Sequence, residues 1–351
     1  MRNKRFSLLV IGISTTLLLS ILPLLGACAQ PEPAPAPTPA PTPAPAPKPE
    51  PIVLKAVGFQ GATELSTTPF KDFIDIVNER AKGELVIDFL GGPEVVDFRE
   101  QPMALKNGTF DLGYTPMAQL RGFLAWGKAF ELSQLTVMEE RKNGAHDFMV
   151  DALKEKGFFY LGRGTLAYPN SQSYFFLTKK VTTPQEMAGL QIGPGTLLIS
   201  LLNNLGAKPI RIRDGEAYTS MERGVEDGHI NVPYSAAARQ WYEVAPYVIN
   251  HPLHTSTLVI LANLDSWNRL PKHLQDLMIQ VKSEREPFWY EELLKWNNDA
   301  KELMKENGVE FIEFSPSDKK WWYETATRLA LDDYMKIDAE NVGKLMQLQT
   351  K

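Results

Sequence analysis

Residues 31–51 alternate proline almost strictly with alanine, threonine or a charged residue, and neither a helix nor a sheet can be built from such a run. Each proline removes a backbone donor and fixes φ, so the tract is a polyproline II spacer of about 3.1 Å per residue, on the order of 60 Å in all. Whatever folds in this chain must begin near Ile52 and use the roughly 300 residues that follow. That exceeds what one hydrophobic core sustains, so two lobes are expected.

The residues ahead of the spacer have a different pattern. Met1-Arg2-Asn3-Lys4-Arg5 is basic, an apolar stretch runs from about Phe6 to Leu25, and Leu25-Gly26-Ala27 leads into Cys28, the single cysteine. Segments in that order make a secretory signal. Cysteine directly after Leu-Gly-Ala resembles the lipobox of bacterial lipoproteins. This implies removal of residues 1–27, acylation of Cys28, and a lipid anchor plus linker over 28–51. The alternatives are an ordinary signal peptide or an uncleaved membrane helix, but Ser20 and Pro23 interrupt the run and no stop-transfer pattern follows. With the only thiol spent on an anchor, the body has no internal disulfide and must be held by packing. The net charge of −5 becomes −8 once Arg2, Lys4 and Arg5 leave with the signal, which argues against a nucleic-acid partner.

Along the body, hydrophobic periodicity alternates between strand and helix. Residues 52–57, 85–90 and 110–114 read as strands, separated by a helix over 69–82 with Phe70, Phe73, Ile74 and Val77 on one face and a second over about 98–107. This order predicts an α/β fold with parallel pairing and right-handed crossovers, and it places Phe59-Gln60, residues 92–94 and Tyr114-Thr115-Pro116 on the ligand-binding rim. Further strands are expected from Phe158 to Leu161, at 190–192, 209–213, 258–261 and 309–313, with helices at 195–204 and 216–223. Pro287 should start or kink a helix, and Ser317 should cap the terminal one.

Motifs for catalysis are missing: there is no His-Glu-x-x-His, Walker loop or Gly-x-Ser-x-Gly. His251-Pro252-Leu253-His254 reads as loop, not metal site. The neighbours Glu139-Glu140 and Asp332-Asp333 read as solvated helix surface, and Tyr218, Met221 and Val225 as helix core. Gly193-Pro194-Gly195-Thr196 could present backbone amides to an anion. These readings supply no nucleophile or metal constellation, so neither enzyme activity nor a cofactor is expected.

Three ordered segments then carry a resemblance. They are Thr183-Pro184-Gln185-Glu186-Met187-Ala188-Gly189-Leu190-Gln191-Ile192, Leu205-Gly206-Ala207-Lys208-Pro209, and Glu216-Ala217-Tyr218-Thr219-Ser220-Met221-Glu222-Arg223-Gly224-Val225-Glu226-Asp227-Gly228. Together with Gly91-Gly92-Pro93-Glu94, residues 107–113, Trp241-Tyr242-Glu243-Val244 and Trp267-Asn268-Arg269-Leu270-Pro271, they resemble the DctP-type solute-binding proteins of tripartite ATP-independent periplasmic (TRAP) transporters. The resemblance implies a two-lobed, periplasmic-binding-protein-like α/β fold with the ligand between the lobes and a long helix, here about 287–307, spanning both. It implies a first lobe of 52–172 plus 256–290 and a second of 173–255 plus 291–351. Its functional content is an extracytoplasmic receptor, lipid-anchored through Cys28, that closes on a small organic solute, a carboxylate by the family pattern, and delivers it to membrane permease subunits. A ligand-sensing module facing a signalling partner would share this fold.

The chain departs from the family at one telling position. Most members carry an arginine directly after the 190–192 strand, where its planar fork holds a carboxylate; here that residue is Gly193. Three readings follow. Another cation takes over, Arg163 first and Arg211 or Arg213 next; or amides near Gly193 bind the anion; or the solute is not a carboxylate. In the last case Phe59, Gln60, Tyr114, Tyr168, Asn170, Asn231 and Tyr234 would line the cleft. Thr115 and Glu94 complete the candidate set.

Overall fold

The computed structural model describes residues 50–164, 172–194, 198–255 and 257–349. The signal, anchor and spacer assignments, Cys28, Tyr168 and Asn170 lie outside them. Eleven strands occur among the described residues. The first four are β1 (Ile52–Gly58), β2 (Leu85–Gly91), β3 (Leu112–Pro116) and β4 (Phe158–Arg163); then come β5 (Gln172–Leu177), β6 (Gln191–Gly193), β7 (Lys208–Pro209) and β8 (Gly228–Asn231), and last β9 (Tyr247–Thr255), β10 (Leu258–Asn263) and β11 (Glu310–Ile312). They form two sheets, ordered β2-β1-β3-β10-β4 and β11-β9-β5-β8-β6-β7, one per lobe.

In the first lobe β1 pairs in parallel with β2 on one side and β3 on the other. The helix Thr68–Arg80 makes that crossover possible, because Phe70, Phe73, Ile74 and Val77 form the single apolar face expected from their spacing and are buried against the sheet. β10 enters antiparallel between β3 and β4, returning from the second lobe to complete the first sheet. β3 begins two residues later than its hydrophobicity suggests. Phe110 is buried in the core ahead of the strand, and the Asp111 amide bonds the Lys55 carbonyl.

The second sheet is the less legible one in the sequence. β5 and β8 are buried nearly throughout and show no alternation, and β9 contains Pro252. The His251-Pro252-Leu253-His254 segment is therefore strand, not loop. His251 is fully buried: its Nε2 accepts the Phe314 amide at 2.7 Å, and its carbonyl accepts Trp322 Nε1 at 3.0 Å. β7 shrinks to Lys208–Pro209 because it is the sheet edge, and the chain then turns directly into the helix Asp214–Glu222. On that helix Met221 is buried, but Val225, just past its end, is 51% exposed and so is not core.

The spanning helix runs unbroken from Lys272 to Glu306, longer than expected, with Pro287 inside it. Proline there frees the carbonyl of residue 283. Ser283 and Pro287 both lie on the exposed side, so water can satisfy the lost bond, while Glu286 and Trp289 stay buried on the other side. Leu274, Met278, Val281 and Leu293 pack into the first lobe's core and Met304 into the second's. The helix Pro316–Ile337 is capped by Ser315, whose Oγ accepts the Asp318 amide; Ser317 is one position inside the first turn. Its Trp322 and Ala326 pack in the second lobe, whereas Tyr334, with Val342 and Leu345 of the helix Ala339–Leu348, packs beside Phe130, Met149 and Tyr160 of the first. No helix among the described residues is long and apolar enough to cross a membrane.

Candidate functional site

A cleft of about 500 Å³ opens between the lobes. Its first-lobe wall comes from the loop after β1 (Phe59, Gln60 and residues 63–66), from Pro116 and Ala118 beyond β3, and from Glu131, Thr257 and Leu258. The second-lobe wall comes from Asp214 and from Asn231, Val232, Tyr234, Ser235, Ala238 and Arg239 at and beyond the end of β8. The carboxyl ends of β1, β3 and β8 thus converge on one space, as open α/β sheets dictate.

The structure brings Phe59, Gln60, Asn231 and Tyr234 together in this cleft. Phe59 stands edge-on to Tyr114 at 5.8 Å, and the Gln60 side chain accepts the Ser66 hydroxyl. Asn231 bonds its neighbour's amide, Val232 N, at 2.8 Å, and Tyr234 packs edge-on against Trp296 of the spanning helix. The other candidates sit elsewhere. Tyr114 is core, stacked on Phe70 at 5.0 Å, and Thr115 is buried in β3. Glu94 is an exposed residue whose Oε1 accepts the Gly92 amide at 2.7 Å, which keeps its carboxyl below the usual range. Arg211 and Arg213 are exposed and do not line the cleft.

Gly193 is buried at the end of β6 beneath the second-lobe wall. Any Cβ there would meet Glu226 Oε2 at 2.6 Å and His229 Nδ1 at 3.0 Å. The space where the resemblance expects an arginine is taken by a chain of three groups. Glu226 Oε2 lies 3.0 Å from His229 Nδ1, and His229 Nε2 lies 3.1 Å from Asp214 Oδ1. Burial opposes charge on His229, but the bonds to Asp214 and Glu226 outweigh it and raise the imidazole above its ordinary value. Burial likewise opposes charge on Asp214, and His229 together with the Asn231 side chain holds that carboxyl below its ordinary value. Of these three groups, Asp214 is the one that lines the cleft.

Arg163 is fully buried behind the first-lobe wall. Its Nη1 donates to Thr257 Oγ1 at 3.0 Å, its Nη2 to the Phe130 carbonyl, and its guanidinium stacks over the Phe130 ring at 4.1 Å. Nη2 also lies 2.8 Å from Glu140 Oε1. Glu140 is thus not solvated surface: it is 2% exposed, and burial pushes it up to about 7 despite Arg163. Glu139 does face outward and completes the cap of its helix with Thr136. Asp332 is exposed, as expected, whereas Asp333 is half-buried and accepts the Ser200 hydroxyl.

Several cleft residues carried no signal in the sequence, the charged Glu131, Asp214 and Arg239 among them. Glu131 lies on a 3-10 turn, Gly127–Leu132, that has no periodic signature. Asp214 lies two residues ahead of the helix expected over 216–223 and opens the one observed. Arg239, the one lysine or arginine lining the cleft among the described residues, lies two residues ahead of the stretch at Trp241. Its Nη1 donates to Ser235 Oγ at 2.8 Å and its Nη2 to Glu64 Oε2 at 3.1 Å, across the cleft mouth. No group of three or more histidine, cysteine, aspartate or glutamate side chains placed to hold a metal occurs among the described residues.

Residues 58–336 match the DctP family, bacterial extracellular solute-binding protein, family 7. The chain belongs to this family. A solute-binding protein of Albidiferax ferrireducens is 22% identical over 302 residues, spanning 79% of this chain and 83% of its own length. The 2,3-diketo-L-gulonate-binding periplasmic protein YiaO of Escherichia coli is 26% identical over 261 residues, 69% of this chain and 75% of its own. Among solved structures, a TRAP periplasmic solute binding protein from Desulfovibrio salexigens with bound orotic acid superposes with a TM-score of 0.74 at 20% identity, covering 85% of this chain and 97% of that one. DctP-family proteins are binders and not enzymes, in accord with the absence of catalytic motifs here.

Proposed function

We propose that this chain is an extracytoplasmic receptor that encloses a small organic acid between its lobes and presents the closed form to a TRAP-type permease. The observation that carries the reading is the cleft itself, whose walls come from both lobes and whose only lysine or arginine among the described residues is Arg239. Solute contacts to both walls favour closure, and only a ligand with different affinity for open and closed states can drive it. Arg239 takes the place of the family arginine that Gly193 cannot supply: its guanidinium already meets the Glu64 carboxylate, and a solute carboxylate would compete for the same fork. The relatives named for 2,3-diketo-L-gulonate and solved with orotic acid are consistent with an acid as solute.

The test is a thermal-shift screen of the purified protein against organic acids, followed by Arg239→Ala. Loss of a charged hydrogen bond should weaken the acid by about 1.5–3 kcal/mol, roughly ten- to a hundredfold. Unchanged affinity in a folded variant would remove Arg239 from the site. The anchor reading is tested separately: Cys28→Ser should release the protein from membranes, and retention would point to an uncleaved helix.

A further inference from the structure

Opposite Arg239, the first-lobe wall holds a polar atom with no partner. Glu131 is 3% exposed, yet it lines the cleft. Its carboxylate accepts the Thr257 backbone amide, while Oε2 has no hydrogen-bond partner. A buried carboxylate oxygen left unmade costs free energy that a donor from the ligand can recover. The lining adds a second argument: among its charged side chains Glu64, Glu131 and Asp214 are acids and Arg239 is the one base. A simple anion would meet this surface with one attraction and several repulsions.

We propose, building on Arg239 as the carboxylate partner, that Glu131 is the solute contact of the first lobe and that the solute is a zwitterion. Its ammonium group donates to Glu131 Oε2 while its carboxylate meets Arg239 on the facing lobe. The groups already around Glu131 leave room for this donor. Lys128 on the same turn, Arg163 from β4 and Tyr334 from the helix Pro316–Ile337 all face it, but burial still dominates and holds the carboxyl up at about 7. Desolvation is thus incompletely offset by protein cations, and an N–H⁺ from the ligand would complete it.

The experiment compares three matched sets on the full-length protein: α- and β-amino acids, the same acids with the amine replaced by hydrogen or hydroxyl, and the same amines without the carboxylate. Calorimetric affinities should favour zwitterions at least tenfold over both other sets, and Glu131→Gln, which keeps the acceptor for Thr257, should erase the margin over the deaminated acids. Deaminated or hydroxy acids that bind as tightly as zwitterions to the wild-type protein overturn the inference and leave the receptor reading standing. So does a zwitterion preference that survives in Glu131→Gln. Amines that bind equally well without a carboxylate overturn it too, and take Arg239's role with them. Silence across all three sets overturns both readings. The preference is measured on the unmodified protein, so the result does not depend on the variant folding.

Discussion

A Cβ placed on Gly193 would stand 2.6 Å from Oε2 of Glu226, closer than a methyl carbon and a carboxylate oxygen pack without a clash. Glu226 is fully buried and tied to His229, so it cannot swing aside without breaking that bond. Gly193→Ala should therefore cost about 1–3 kcal/mol by overpacking, and Gly193→Arg more, without restoring a carboxylate clamp. Urea denaturation decides this: a Gly193→Ala protein as stable as the parent would show that the Glu226–His229 chain yields.

The same chain predicts a pH dependence. His229 is raised by Asp214 and Glu226, so its contribution to stability is complete below the ordinary imidazole value and is lost as pH rises through the raised one. Asp214 is lowered, so its contribution is present above the ordinary carboxylate value and lost as pH falls. The stability gap between wild type and His229→Gln should be widest near pH 6 and narrow by pH 9. A gap that stays constant from pH 6 to 9 would mean His229 is neutral in the folded protein.

Elements with one buried face were legible in the sequence. Phe70, Phe73, Ile74 and Val77 announced their helix because one face alone is buried, and β2 alternates buried and exposed residues; β1, buried on both faces at its end, was legible from its β-branched run instead. β5 and β8 were not, since strands buried on both faces lose the two-residue period; β9 alternates buried and half-buried residues from Ile249 to Leu253, but its proline argued against a strand. At the cleft, Gln60 was marked by its place after a strand, whereas Asn231 and Tyr234 were named from the family resemblance and as polar or aromatic lining; all three line the cleft. Glu131, Asp214 and Arg239 were not legible, because their roles arise from which elements the fold brings face to face, and no local pattern records that. Glu140 misled for the same reason: a Glu-Glu pair on a short helix looks solvated until Arg163 arrives from β4.

Arg163 offers a clean choice between two roles. Its contacts to Glu140, Thr257 and Phe130 are internal, so Arg163→Ala should lower folding stability by about 3 kcal/mol or more, the scale of breaking a buried ion pair. The loss should be smaller at pH 5, where Glu140, already raised to about 7, is protonated and needs no cation. If stability holds and only solute affinity falls, Arg163 is a ligand contact and its burial here is incidental.

Glu131 allows the sharpest test of electrostatics in the cleft wall. Its folded value of about 7 lies above the ordinary 4.5, so the folded state binds the extra proton and stability is fully present below about pH 4.5 and drains away up to about 7. Glu140 adds a second loss in the same window, while His146, pushed down to about 3 by burial and by Arg141, gains stability as pH rises from 3 towards 6.5. The wild-type curve is therefore a balance of opposing slopes, but the difference between Glu131→Gln and wild type isolates one group. That difference in melting temperature should grow in the variant's favour from pH 5 to pH 8. If it stays flat, Glu131 ionises normally, which would mean that Lys128 and Arg163 compensate it in full and that no ligand donor is called for at Oε2.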